Sequence, residues 1–329
     1  MSGGDPAASG SSSWDGGSAP VTPRIQRDPR PPPSAFMRVR RSIFRVINRR
    51  ESWAGWSQVA PTLLVLVVFF IVPLAMMFGS SWMARGTYGG IEWRFTAEHY
   101  VRFADPLYLS ILARTLAWSL GATLFCLLVG YPVAWTLANA GRWKNVLVFL
   151  VIVPLWTSYL VRTFAMIFLM RDSGLINTLL LKTGLIQEPL ELLYTPGAVM
   201  AGLVYGFLPF MVLPIYTSLE KLDPTLLEAA EVLGARPAAR FWKVIWPLSL
   251  PGVAAGSLLT FIPALGSYLT SDLLGGAKQM MIGNLVQNQF TTARNWPFGA
   301  AASFVVMSGV LVAVTLYLRM RDKAPGGGL

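Results

Sequence analysis

Residues 58–80 read Gln-Val-Ala-Pro-Thr-Leu-Leu-Val-Leu-Val-Val-Phe-Phe-Ile-Val-Pro-Leu-Ala-Met-Met-Phe-Gly-Ser, a stretch without one charged side chain. A helix gains about 1.5 Å per residue, and about 20 apolar residues cross the hydrocarbon layer of a bilayer. The run is too long for the apolar part of a secretory signal and no small-residue cleavage site follows it, so it reads as a retained first span. Working outward, five more runs of this kind occupy 109–138, 146–170, 197–219, 248–272 and 299–318. Prolines inside them (Pro73, Pro132, Pro154, Pro209, Pro214, Pro263) are tolerated in membranes and mark candidate kinks. Composition agrees: 54% of the 329 residues are hydrophobic, only 13% are charged, and mean hydropathy is +0.52, whereas soluble domains carry about 25% charge. The expected fold is all-α, a polytopic membrane protein with six transmembrane helices over 58–318.

Several function classes drop out. One cysteine, Cys126, excludes a disulfide framework and a multi-cysteine metal site, and one histidine, His99, excludes a paired-histidine metal motif. No G-x-x-x-x-G-K-[ST] phosphate loop occurs, so ATP hydrolysis is not expected of this chain, nor is any bound cofactor. The net charge of +11 lies largely in arginines from Arg24 to Arg50 and beside apolar runs, which fits a membrane surface and not nucleic acid.

Segment 1–57 reads as a basic tail. Its Gly, Ser and Pro-rich part, 1–35, is too poor in apolar residues to fold. Near 36–47, Phe36, Val39, Ile43, Phe44 and Ile47 recur at helical spacing among arginines, a pattern for an amphipathic helix on anionic lipid. His99 reads as a residue of an external loop. Most of the 27 lysines and arginines fall in the tail, in 139–145, in 220–247 and in the C-terminal 319–329. By the positive-inside bias, both termini are cytoplasmic.

The longest internal loop on that side, 220–247, has helix punctuation: Asp223 as N-cap, Pro224 at the first helical position, and Gly234 for a left-handed C-terminal cap. Leu226, Leu227, Ala230 and Leu233 then form one apolar side, available either to a groove of a partner or to the chain's own bundle. Within the spans, Arg162 is the conspicuous polar intrusion, read either as a gate residue paired with Asp172, Asp272 or a partner chain, or as a packing contact. Asp272 is the only acidic residue in the six runs, which weakens an ion-gradient mechanism. Tyr268 and Asp272, four apart, and Trp156 and Tyr159, three apart, pair by helical spacing as candidate contacts for a cation, with interfacial or packing roles as the alternative.

Glu228-Ala229-Ala230, then Gly234 after three residues, then Pro247, resembles the EAA signature of ABC-importer permeases. Asp105–Tyr108, Val153–Arg162, Gly202–Pro214, Ser271–Lys278 and Asn295–Gly299 resemble permease subunits of bacterial spermidine/putrescine importers, over roughly 57–320. The resemblance implies a type I importer permease fold in a bacterial inner membrane, forming half of a pore with a second homologous permease. It also implies two ATPase subunits that hold ATP and Mg, an external solute-binding protein, and a small cationic substrate. Glu228, Ala229, Ala230 and Gly234 would then form the element that docks on the ATPase, with Pro247 at the entrance to the fifth span. Val244 and Trp246 depart from the family's preference for Ile and Leu there. Related permeases carry other solutes, an opine-like amine among them; an ion-coupled transporter and a membrane scaffold are the readings from other classes.

Overall fold

The computed structural model describes residues 59–276 and 278–322, so the tail and the 36–47 helix expected in it lie outside the described residues. The chain divides into two units, Met1–Val68 and Phe69–Leu329. Of the first, the described part is the exposed helical stretch 59–68. All packing described below belongs to the second.

Among the described residues, six helices are long and apolar enough to cross a membrane: α1 (Val59–Ser81), α3 (Pro106–Ala138), the pair α5–α6 (Tyr159–Lys182), α7 (Pro196–Glu220), α9 (Pro237–Gly266) and the first part of α12 (Trp296–Tyr317). Between them lie a ribbon of β1 (Met83–Arg85) and β2 (Ile91–Phe95), α2 (Glu98–Phe103), α4 (Lys144–Trp156), α8 (Pro224–Val232), α10 (Leu269–Gly275) and α11 (Ile282–Thr291). Helix α5 is Tyr159–Met170, α6 is Leu175–Lys182, and α12 runs on to Asp322. The strands are antiparallel, with Ala84 opposite Glu92 and Arg85 opposite Ile91, and a bulge before Met83 meets Phe95. They are the one departure from an all-helical chain among the described residues.

Three of the long or functional helices start in the same way. Asp105, Thr195 and Asp223 each accept a backbone N–H of the first turn (Leu107 at 2.9 Å, Ala198 at 3.2 Å, Thr225 at 2.9 Å), and Pro106, Pro196 and Pro224 follow. Proline there costs nothing, because the N–H it lacks has no partner inside the helix.

The expected third and fifth spans need correction. The run 146–170 is not one helix: Thr157 and Ser158 are extended, with ψ of 145° and 139°, and divide it into α4 and α5. The span by length and apolarity is Tyr159–Lys182. The run 248–272 breaks at Ser267 (ψ 113°), so Asp272 belongs to the separate helix α10. Hydroxyls serve both breaks: Thr157 Oγ1 donates to the Pro154 carbonyl at 2.8 Å, and Ser267 Oγ meets Thr270 Oγ1 at 3.2 Å. The Thr157 bond gives the backbone an alternative to the helical ladder and occupies a freed carbonyl in lipid, whereas the Ser267–Thr270 contact joins two side chains across the second break.

Pro247 is also displaced from its expected place. It does not open the fifth span but lies ten residues inside α9, behind a π-turn at Phe241–Ile245. Proline cannot bond to the residue four before it and its ring crowds that carbonyl, and the wider turn makes the room. Pro73 stands in the same relation to the π-turn Val67–Ile71 of α1.

The main core joins α3, α7 and α9 around Cys126, Leu203, Met211, Val212, Ile215 and Val253. Glycines let α9 approach α7: a Cβ at Gly252 would lie 2.5 Å from the Pro214 carbonyl oxygen and 2.5 Å from Ser218 Oγ, and one at Gly256 3.0 Å from the Met211 carbonyl. Backbone cannot yield as a side-chain tip does. Gly252→Val is therefore expected to force α9 off α7 at about 1–3 kcal/mol, read as a lowered midpoint of thermal aggregation in detergent. An unchanged midpoint would show that the two helices separate freely at this point.

A smaller cluster, Phe103, Ile111, Ile282, Leu285, Phe298 and Ala302, gathers α2, the start of α3, α11 and α12. The Arg102 guanidinium covers it, 4.9 Å from the Phe298 ring and 5.8 Å from Tyr108. His99, read as a residue of an external loop, lies in the short helix α2 of the connection between α1 and α3 and is buried beside this cluster, its Nε2 3.0 Å from the Met83 carbonyl.

Candidate functional site

Two places bring the candidate residues together. The first is α8, in the connection between α7 and α9. Asp223 holds the N-terminus, and the Thr225 backbone N–H keeps its carboxyl below the usual carboxylate range. At the other end Gly234 has φ +75°, its N–H bonds the Glu231 carbonyl at 2.8 Å, and Ala235 N–H bonds the Ala230 carbonyl at 3.0 Å. These two bonds define a Schellman cap, and the positive φ is the reason glycine stands there.

The apolar side expected of this helix is split between core and solvent. Leu227 packs on the main core, whereas Leu226 and Ala229 are exposed, and Val232 and Leu233 stand 87% and 86% exposed at the tip. Glu228 is exposed as well. Two ion pairs fix the base of this element: Glu231 with Arg240 at 2.6 Å, joining α8 to α9, and Lys144 with Glu220, joining α4 to the end of α7. The Lys144 ammonium also lies 5.8 Å from the Tyr216 ring.

The second place is a cavity of about 210 Å³ where the two broken spans meet, lined by Tyr159, Phe207, Pro263, Gly266, Ser267, Tyr268 and Leu269. Tyr159 and Tyr268 are thus brought together although their spans are distant in sequence. Tyr159 is heavily engaged: its hydroxyl bonds Thr270, its ring stacks on Phe207 at 5.9 Å, and the Arg162 guanidinium lies 5.4 Å from its centroid. Arg162 donates to the Gly206 carbonyl at 3.4 Å, and its buried Nε has no partner among the described residues. Neither Asp172 nor Asp272 forms an ion pair with it.

Trp156 lies across the break from Tyr159 and so does not share a helix face with it. It is 73% exposed and meets Phe149 edge to face at 5.6 Å. Tyr268 and Asp272 remain one turn apart, the Asp272 N–H bonding the Tyr268 carbonyl at 2.9 Å. Asp272 is exposed, and its Oδ1 accepts from Asn284 Nδ2 at 2.5 Å; the same amide nitrogen donates to the Tyr268 carbonyl at 3.1 Å. Tyr268 also lines a larger, mostly apolar cavity of about 690 Å³ between α9, α11 and α12. Phe207, Thr270 and Asn284 escaped the sequence reading. Asn284, a buried amide on an amphipathic helix, was the one with a visible signal.

Residues 127–322, from the middle of α3 through α12, match the family described as "Binding-protein-dependent transport system inner membrane component". The chain belongs to this family. It is an inner-membrane permease subunit of an ABC-type import system, which sets aside the ion-coupled and scaffold readings. The permease is 44% identical over 262 residues to the spermidine/putrescine transport system permease protein PotB of Escherichia coli (strain K12), an alignment covering 78% of this chain and 95% of that one. It is 40% identical over 257 residues to the protein of the same name from Haemophilus influenzae, covering 78% and 89%. Among solved structures, a bacterial alginate ABC transporter in complex with its periplasmic protein matches with a TM-score of 0.70 at 16% identity, over 86% of this chain and 98% of that one. That likeness is one of fold.

Proposed function

We propose that this permease forms half of a translocation path for polyamines of the spermidine and putrescine class, the other half being a homologous permease. The observation that carries the reading is the 44% identity to a permease of that name, along 95% of its length. The exposed Asp272 beside Tyr268 supports a cationic substrate, since a carboxylate and an aromatic ring hold ammonium groups without the tight closure that would prevent release.

Substrate is handed over by an external binding protein, and two separate ATPase subunits hydrolyse ATP with Mg, the sequence of this chain having no phosphate-loop motif. Helix α8, with Glu228, Ala229, Ala230 and Gly234, docks on an ATPase and couples its closure to the spans; Pro247 acts from inside α9 by shaping the turn behind it. Trp156, Tyr159, Arg162, Tyr268 and Asp272 belong to the path or its gate, Arg162 holding Tyr159 in place. Both termini are cytoplasmic, in keeping with the lysine and arginine bias.

The test is ATP-dependent uptake of labelled spermidine into proteoliposomes holding the complete complex and binding protein, beside a Gly234→Asp variant. Uptake by the first and its loss in the second, with assembly intact, are expected. If an opine-like amine or another solute accumulates and stimulates ATP hydrolysis while spermidine does neither, the polyamine assignment fails.

A further inference from the structure

The ribbon β1–β2 presents an amphipathic face that, among the described residues, is covered only by Trp82 at Phe95. All five residues of β2 are exposed, and alternation along a strand sets Ile91, Trp93 and Phe95 on one side and Glu92 and Arg94 on the other. Trp93 is 88% exposed, Phe95 73%, and Tyr88 at the turn 96%. Ala84, opposite Glu92 and so on that second side, is buried, while Glu92 and Arg94 beside it are exposed; Arg85, opposite Ile91, shares the first side and reaches back from it to Ala293.

The two ends of the ribbon are fixed at points where spans leave the membrane. At its base, Trp82 caps α1, accepts the Thr96 N–H at 2.8 Å, and stacks on Phe95 with centroids 5.4 Å apart and planes within 4°. At its tip, Gly90 N–H bonds the Arg294 carbonyl at 2.9 Å and Arg85 Nη2 bonds the Ala293 carbonyl at 2.9 Å, just ahead of Trp296 where α12 begins. Phe78 of α1 meets Phe304 of α12 at 5.2 Å, so the two exits are neighbours. A ribbon tied at both ends to adjacent exits runs along the surface instead of standing away from it. Through the Trp82–Phe95 stack, its apolar side continues the exposed apolar surface of α1, which includes Met76, Met77 and Phe78.

We infer that this ribbon lies on the lipid headgroups of the leaflet opposite helix α8, with Ile91, Trp93 and Phe95 against the acyl boundary and Arg94 toward water and phosphate. Tryptophan and tyrosine favour that depth because their rings are apolar bodies with one polar edge. The occupant of this face is therefore lipid, and the external binding protein docks elsewhere. Held in this way, the ribbon anchors the lobe of α2 and α11 to the membrane while spans move beneath it.

The test places an environment-sensitive NBD label at Trp93→Cys, and separately at Glu92→Cys, in the complete complex in vesicles of phosphatidylethanolamine and phosphatidylglycerol. The native Cys126 is buried, and the unsubstituted chain measures background labelling. The probe at 93 is expected to emit at shorter wavelength than the probe at 92 and to be quenched several-fold more by headgroup nitroxide lipid than by iodide, with the order reversed at 92. Binding protein should leave the probe at 93 unchanged. Equal iodide quenching at both positions, or protection of the probe at 93 by binding protein alone, overturns the inference. Binding-protein-stimulated ATP hydrolysis by each labelled complex confirms that it is assembled.

Discussion

Aspartates in place of Val232 and Leu233 are expected to abolish uptake while leaving the bundle intact. These two side chains are 87% and 86% exposed at the tip of α8, and neither contributes to the cores of this chain. Burying an aliphatic side chain of that size in a groove is worth about 1.5–3 kcal/mol, so losing both removes roughly 3–6 kcal/mol of docking energy before the cost of desolvating two carboxylates. That is a factor of at least about a hundred in affinity for an ATPase partner, at 1.4 kcal/mol per tenfold. The caps of α8 do not use these side chains: Asp223 bonds Thr225, and Gly234 and Ala235 bond carbonyls of Glu231 and Ala230. The check is co-purification of ATPase subunits together with uptake. A double variant that keeps its ATPase and transports normally would show that docking runs through Glu228 and Ala229 or through another loop.

That tip also shows how far the sequence carries. Helix α8 was legible in full, because each end is written in residues with a single physical use: an acceptor before proline, and glycine where φ is positive. Which apolar residues face out was not, since Leu226, Leu227, Ala230 and Leu233 read as one side, yet Leu226 and Leu233, seven apart, are exposed while Leu227 packs on the core. Spacing gives the stripe, and which edge of it meets the core depends on how α8 is set against α7 and α9. The six spans were legible from length and apolarity, whereas the breaks in the third and fifth were not. Thr157-Ser158 and Ser267-Tyr268 carry no proline or glycine to announce a break inside apolar runs, and the extended backbone at Thr157, Ser158 and Ser267 emerges only in the folded chain. The same breaks decide the candidate site, for they separate Trp156 from Tyr159 and bring Tyr159 to Tyr268 across the bundle. Chemistry pointed to the right residue types; only the fold says which of them meet.

Asp272→Asn should lower uptake of a polyamine by at least about tenfold while assembly and ATPase binding remain normal. The substitution is close to isosteric. The asparagine oxygen still accepts from Asn284 Nδ2, which also donates to the Tyr268 carbonyl, so the joint between α10 and α11 is retained. What changes is one negative charge at an exposed position beside Tyr268. A hydrogen bond to a charged group contributes about 1.5–3 kcal/mol, and a substrate ammonium that loses it loses roughly one to two powers of ten in kcat/KM. Asp272→Leu separates the two roles further, because it removes the acceptor and the charge together and is expected to loosen the joint as well. If Asp272→Asn transports as the native chain does while Asp272→Leu fails to assemble, the carboxylate is a strut between helices, and the cation is held by Tyr268 and groups of the second permease.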